Sequence, residues 1–119
     1  MRNEHVRGHL DLLLLSVLAR GGAAHGYALI NALREHSGGA FDLPEGTVYP
    51  ALHRLERDGL VVSRWEDGTA RRRRVYEVTP SGTQALTAKR AEWRVFASRI
   101  QAGVFPGRPG GAEPPHGFP

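Results

Sequence analysis

The chain has 119 residues, of which 40% are hydrophobic and 24% charged, the size and composition of one small folded domain. It contains no cysteine, which excludes disulfide frameworks, thiol nucleophiles and metal sites with cysteine ligands. The formal net charge of +4 favours nucleic acid or an acidic membrane surface as the partner.

Three short helices are predicted in the first half of the chain. Apolar residues recur at helical spacing over residues 8–19, 25–36 and 47–59. Paired glycines after the first two segments suit the left-handed backbone at a helix end. The first helix is apolar around most of its circumference, so we expect it to pack on two sides. We interpret His25 as the cap of the second helix and Tyr27 as a core aromatic.

The third helix is predicted to begin at Thr47, which places Pro50 in the first turn, where its missing N–H has no intrahelical partner to lose. Val48, Leu52 and Leu55 form its apolar stripe. The opposite face carries hydroxyl, ring and guanidinium groups that suit a DNA groove: Thr47, Tyr49, Pro50, His53, Arg54 and Arg57. Arginines on a helix face are usually only solvated, so this helix alone does not decide for DNA.

A β-hairpin is predicted after the third helix. Residues 60–65 and 75–79 are β-branched and aromatic, and a charged loop over residues 66–74 separates them. The tip of the hairpin carries four consecutive arginines: Arg71, Arg72, Arg73 and Arg74. Strand alternation turns two of them to each side. Because adjacent like charges repel, a phosphate backbone is the partner that would compensate them.

A long final helix is predicted from Pro80, with Thr79 as its N-cap and an end near residue 102. Its large apolar side chains must be covered, either by the chain's own first helix or by a second subunit, and we favour the second subunit. The expected interface contains Leu10, Leu14, Leu86, Trp93, Phe96 and Ile100. Residues 103–119 are rich in glycine and proline and predict a disordered tail.

The order of these elements is that of a winged helix-turn-helix, a mainly α fold with a small β-hairpin (α+β class). We assign residues 1–79 to this DNA-binding domain and residues 80–102 to a dimerisation helix. In such folds the third helix enters the major groove, and the hairpin contacts an adjacent groove or the backbone. The groove-suited helix face and the arginine-rich hairpin therefore both lie where DNA is expected.

Several motifs have the order and spacing of one known family. They occupy residues 10–15, 25–27, 45–56, 58–60, 72–76 and 79–82. The most specific are the T-V-Y-P-A-L-H-R-L-E block at residues 47–56 and the R-R-R-V-Y block followed by T-P-S-G. Over residues 7–102 the chain resembles the PadR family of bacterial transcriptional regulators.

The resemblance implies a homodimeric repressor that binds an inverted-repeat DNA operator. In many members of the family, a small molecule or another stress signal releases the repressor from the operator. It matches Thr47, Tyr49, Pro50, His53 and Arg54 to the recognition helix, and residues 71–74 to the wing. Trp93 stands where the multidrug-binding branch of the family has a tryptophan that stacks on flat aromatic ligands. Interface packing is the alternative role for this residue.

Other functions find less support in the sequence. No side chains resemble a nucleophile with its base, so an enzyme is not expected. His5 and His9 could share a helical face but lack a third ligand, and we predict no metal and no cofactor. No apolar run would span a membrane and residues 1–7 do not resemble an export signal, so we expect a cytoplasmic protein. Two alternatives stay open: a winged helix used as a protein-interaction module, and sequence-independent binding to DNA or RNA.

Overall fold

The computed structural model describes residues 9–68 and 72–106. Within them lie four helices and three strands: α1 (Leu10–Gly21), β1 (Ala24–His25), α2 (Gly26–His36), α3 (Glu45–Arg57), β2 (Val61–Asp67), β3 (Arg72–Val78) and α4 (Pro80–Val104). The predicted α+β class and element order are confirmed. The chain divides into two units inside α4, the first ending at Ala88 and the second beginning at Lys89. Arg71, His5 and the tail beyond residue 106 lie outside the described residues.

The core of the first unit is formed by α1, α2, α3, the sheet and the start of α4. Helix α1 contacts α2, α3 and β3, so its packing on more than one side is confirmed. The core contains Leu14, Leu15, Leu18, Leu29, Leu33, Val48, Leu52, Leu55, Val61 and Tyr76, all at most 2% exposed. Tyr27 is not among them, because it is 61% exposed, and its interpretation as a core aromatic is wrong.

Leu10, Leu14 and Leu86 were expected in a subunit interface. The structure instead buries all three in the core of the chain itself. Because they have almost no exposed surface left, they offer nothing for a second subunit to cover. Any interface must therefore use other side chains.

The sheet has the order β1-β3-β2, and both pairings are antiparallel. The hairpin is longer than predicted, because residues 66–67 and 72–74 belong to its strands rather than to the loop. Across the hairpin, Glu66 is opposite Arg73 and Asp67 is opposite Arg72. Nε of Arg72 lies 3.9 Å from Oδ1 of Asp67, and opposite charges on directly opposed residues favour pairing of the strands in this charged segment. The two-residue strand β1 was not predicted.

Helix α3 begins at Glu45, two residues earlier than predicted. Pro44 precedes it in an extended conformation, and its carbonyl accepts hydrogen bonds from the N–H groups of Thr47 and Val48. Pro50 consequently lies in the second turn, not the first, and the carbonyl of Gly46 loses its usual helical donor. Because Gly46 is exposed, water can take the place of that donor.

The end of α3 and the start of α4 fix where the hairpin begins and ends. Gly59 adopts a φ of 79°, and the next N–H, that of Leu60, donates to the carbonyl of Leu55 at 3.0 Å. Thr79 caps α4 as predicted: its hydroxyl accepts from the N–H of Gly82 at 3.0 Å and donates to the carbonyl of Gly59 at 2.7 Å. Both ends of the hairpin are thereby tied to one turn.

The final helix runs to Val104, past the predicted boundary at residue 102. From Lys89 to Pro106 no described residue is buried. The exposed large apolar side chains of this segment are Trp93, Val95, Phe96, Ile100, Val104 and Phe105. An apolar stripe of this kind favours a partner surface.

Candidate nucleic-acid interface

The solvent side of α3 carries the side chains predicted to face a DNA groove. Val48, Ala51, Leu52 and Leu55 are buried on its inner side. Pro50, His53 and Arg57 are exposed, and Thr47, Tyr49 and Arg54 are partly exposed. The imidazole of His53 and the guanidinium of Arg57 are polar groups of the kind that read base edges or contact phosphates.

Tyr49 has a packing role as well as an exposed part. Its ring lies against Gly26 at the start of α2, so closely that a Cβ on residue 26 would overlap it. Burial raises the pKa of the Tyr49 hydroxyl, and the nearby Glu45 carboxylate raises it further. The side chain is therefore a neutral phenol that packs α3 against α2.

Arg54 forms an ion pair that the sequence did not reveal. Its Nη2 donates to Oδ1 of Asp11, on α1, and both side chains are partly exposed. The pair joins α3 to the first helix of the fold. A guanidinium has five N–H donors, so Arg54 retains donors that can face outward.

Arg72 and Arg74 lie on one face of the hairpin, around the exposed ring of Trp65. Each guanidinium carbon is 5.1 Å from the ring centroid, within the range of a cation–π contact. Nε of Arg72 also lies 3.9 Å from Oδ1 of Asp67. The alternation predicted for the arginine run holds for its described members, since Arg73 falls on the opposite face.

On the opposite face of the hairpin, carboxylates neutralise much of the positive charge. Arg64 pairs with Glu66 at 3.0 Å and with Glu77 at 3.2 Å. Arg73 is exposed and forms no ion pair with any residue in the described part of the chain. Among the described arginines of the hairpin, Arg73 and Arg72 are therefore the most available to a phosphate backbone.

Arg74 differs from its neighbours because it turns toward α3. Its Nη2 is 3.8 Å from Oε2 of Glu56, which also accepts a hydrogen bond from the hydroxyl of Ser63 at 2.7 Å. Its Nε is buried and has no hydrogen-bond partner among the described residues. Burial raises the pKa of the adjacent Tyr76 hydroxyl, an effect that the guanidinium of Arg74 opposes.

Five residues that shape this surface were given no role from the sequence: Asp11, Gly26, Glu56, Ser63 and Trp65. Ser63 and Trp65 are two residues apart on β2, opposite Tyr76 and Arg74. Strand alternation would have placed them on the face of Arg74 once the register was known. The contacts of Asp11, Gly26 and Glu56 depend on tertiary packing and carry no local signal.

The described ranges, 9–68 and 72–106, contain neither a cluster of metal ligands nor a membrane-spanning helix. No group of three metal-ligating side chains is close enough to hold an ion. No helix in these ranges combines the length and the apolar character needed to cross a membrane.

Comparison with known proteins identifies relatives of this chain. The family model described as "Transcriptional regulator PadR-like family" matches residues 14–88. The transcriptional regulator Rv3488 of Mycobacterium tuberculosis is 42% identical over 79 residues, which are 66% of this chain and 71% of that protein.

Solved structures give the same result. A transcriptional regulator from Clostridium thermocellum superposes with a TM-score of 0.79 at 30% identity, over 86% of this chain and 99% of that one. A PadR family regulator from Eggerthella lenta superposes with a TM-score of 0.76 at 33% identity, over 86% of this chain and 87% of that one. The matches span the winged helix, with its recognition helix and arginine-bearing hairpin. The chain therefore belongs to the PadR-like family of transcriptional regulators.

Proposed function

We propose that this chain is a repressor that binds an inverted-repeat DNA operator as a homodimer and is released by a flat aromatic effector. The observation that carries the proposal is that two neighbouring elements of the winged helix expose basic side chains. Helix α3 presents His53 and Arg57, and the hairpin presents Arg72 and Arg73, all of them exposed. A regulator of this kind acts on the chromosome, which in bacteria lies in the cytoplasm.

The two elements are suited to different parts of DNA recognition. Guanidiniums on a hairpin contact phosphates, which supply affinity with little sequence preference. Side chains on the outer face of a helix in the major groove read base edges, and each good contact contributes about 1–3 kcal/mol of discrimination. The candidate readers are Thr47, Tyr49, Pro50, His53, Arg54 and Arg57. Arg71 would extend the phosphate-binding set but lies outside the described residues.

The homodimer is supported by the exposed apolar side of α4. Phe96 and Ile100 are each 50% exposed and Trp93 is 43% exposed. Trp93 and Phe96 form a tilted aromatic pair with ring centroids 5.9 Å apart. A second copy of the chain would cover this stripe and hold two recognition helices for the two halves of an inverted repeat.

The proposed effector site lies at Trp93. An indole ring at a subunit interface offers a flat apolar surface on which an aromatic compound stacks with little loss of side-chain entropy. The compound would release the operator by binding more tightly to a dimer whose recognition helices are wrongly spaced.

The proposal is tested by selecting duplexes from a random pool with the full chain. We expect enrichment of an inverted repeat whose half-sites are about one helical turn apart. Binding without enrichment would instead indicate sequence-independent recognition. Absence of binding at low salt would overturn the DNA-binding function and favour a protein-interaction module.

The effector is tested in a Trp65→Phe variant, which leaves Trp93 as the only tryptophan of the chain's two. We expect at least one compound in a panel of flat aromatics to quench Trp93 emission and to lower operator affinity in the same concentration range. Quenching that leaves operator affinity unchanged, or no quenching by any compound, would leave Trp93 as an interface residue only.

A further inference from the structure

A small cluster of polar side chains joins the recognition helix to the hairpin. Glu56 lies in the last turns of α3, Ser63 in β2 and Arg74 in β3. One carboxylate oxygen of Glu56 accepts the Ser63 hydroxyl at 2.7 Å and lies 3.8 Å from Nη2 of Arg74. A single carboxylate therefore connects α3 to both strands of the hairpin.

Arg74 is less exposed than the other described arginines of the run, Arg72 and Arg73. Its guanidinium lies over Trp65, it borders Glu56, and its Nε is buried. Its side chain is 37% exposed, against 65% for Arg72. A guanidinium in this position fixes the geometry of its neighbours and has less surface available for a phosphate.

We propose that Glu56, Ser63 and Arg74 form a brace that sets the position of the hairpin relative to the recognition helix, and that Arg74 is a positioning residue. The inference rests on the proposed DNA binding, because the brace matters only if both elements contact one duplex. A small shift of the hairpin relative to α3 weakens both the phosphate contacts and the base contacts, because the two elements bind the same duplex.

Two roles for Arg74, contact with a phosphate and positioning of the hairpin, predict opposite effects of neutralising Glu56 on DNA affinity. If Arg74 contacted a phosphate, Glu56 would compete with DNA for the guanidinium, and Glu56→Gln would strengthen binding. If Arg74 positions the hairpin, the same change weakens binding despite the removal of a negative charge. Glutamine retains an amide oxygen that accepts the Ser63 hydroxyl, so the substitution acts chiefly on the pairing with Arg74.

The matched control is Glu77→Gln. Glu77 is an exposed hairpin carboxylate that pairs with Arg64 at 3.2 Å, so its neutralisation changes the net charge equally without touching the brace. We expect the E56Q chain to bind the selected operator about tenfold more weakly than the E77Q chain, comparable to the effect of one mismatched base pair in a site. Equal or tighter binding by the E56Q chain would overturn the proposal.

A double-mutant cycle with Arg74→Gln identifies the partner of Glu56. We expect E56Q together with R74Q to bind no more weakly than R74Q alone, because either change opens the same brace. Effects that add would contradict a shared role. The free energy of unfolding is measured for each variant, so that reduced affinity in chains that are still fully folded is separated from reduced stability.

Two further measurements test the brace if the E56Q or R74Q chain does not fold. Ser63→Ala removes one arm of the brace without changing charge, and we expect a smaller decrease of affinity in the same direction. In a Trp93→Phe chain, Trp65 is the only tryptophan, and its emission responds to movement of the two guanidiniums over its ring, those of Arg72 and Arg74. We expect S63A to change the emission of Trp65, and unchanged emission together with unchanged affinity would contradict the brace.

Failure of the brace and failure of the proposed function are distinguishable. If the unmodified chain and the E77Q chain bind no duplex, the proposed function fails. If both bind and the E56Q chain has the same affinity as the E77Q chain, only the brace fails.

Discussion

The part of the chain up to Ala88 buries most of its large apolar side chains in one core, whereas the segment from Lys89 onward leaves its large apolar side chains exposed. The first part contains every buried hydrophobic residue found in the described ranges, from Leu10 to Leu86. The second part is helical and exposes Trp93, Phe96 and Ile100. The difference indicates that the winged helix closes its own core, and it is the reason for the proposal that a second copy covers the end of α4.

The comparison with relatives follows the same division. The family match covers residues 14–88 and ends where the first unit ends. In the proposed function, recognition of DNA and assembly of subunits use separate stretches of the chain. Substitutions in one stretch should leave the function of the other measurable, which makes the division testable.

The largest expected effect comes from charging the exposed stripe. Phe96→Asp with Ile100→Asp would bury two unpaired carboxylates in the proposed interface, so we expect a monomer by sedimentation. Operator affinity should fall by about a hundredfold or more, because the two half-sites are no longer bound together. The matched control, Ala91→Asp with Ser98→Asp, places the same charges on exposed positions of the other side of α4 and should stay dimeric. A dimeric, folded F96D/I100D chain would place the interface elsewhere.

A smaller effect is expected from the hairpin. Arg72→Ala with Arg73→Ala should weaken binding to every duplex and reduce the slope of log affinity against log salt by about 0.9 for each phosphate that is no longer neutralised. Arg64→Ala is the control, because this guanidinium is already paired with Glu66 and Glu77 and should change the slope little. If the double variant keeps both its affinity and its slope, the hairpin does not contact phosphates.

The packing of Tyr49 on α2 can be tested at a glycine. Gly26→Ala forces a Cβ into the Tyr49 ring, and we expect a decrease of about 1–3 kcal/mol in the free energy of unfolding, typical of overpacking. Gly46→Ala is the control, since its Cβ would meet no atom within 4 Å and should stabilise the helix by about 0.5–1 kcal/mol. Chemical denaturation measures both, and an unaffected G26A chain would show that Tyr49 moves aside without cost.

The smallest effect concerns alkaline pH. Burial raises the pKa of Tyr49 and of Tyr76 above the ordinary tyrosine value of about 10. A folded chain that holds these protons more tightly than the unfolded chain loses stability as pH rises above that value. We expect the free energy of unfolding to fall in this range, and Tyr76→Phe to reduce the dependence. A tyrosinate absorbance titration of a Tyr27→Phe chain should show both remaining tyrosines ionising late.

The parts of the fold with long periodic patterns could be predicted from the sequence. The four helices, the caps at His25 and Thr79 and the inner face of α3 followed from apolar spacing and cap chemistry. Strand β1 has two residues, which is too short for any pattern. The extension of the hairpin depends on opposing Asp67 to Arg72, a register that neither strand reveals alone.

At the candidate site, residue types could be predicted but their partners could not. Helical geometry placed His53 and Arg57 on the outer face of α3. The pair of Arg54 with Asp11 joins residues 43 positions apart, and that of Arg74 with Glu56 joins a strand to a helix. Such contacts depend on how the helices and strands pack against one another. The sequence alone therefore does not distinguish Arg54 and Arg74 from the more exposed arginines Arg57 and Arg72.

The proposal is that the winged helix reads DNA and that the end of α4 pairs two chains. Its most direct test is the mass of the complex that the chain forms with the selected operator. Sedimentation should give two chains on one inverted repeat. Inserting about five base pairs, half a helical turn, between the half-sites should abolish tight binding, because the second recognition helix then faces away from its site. One chain per duplex, with affinity unaffected by the insertion, would contradict the account.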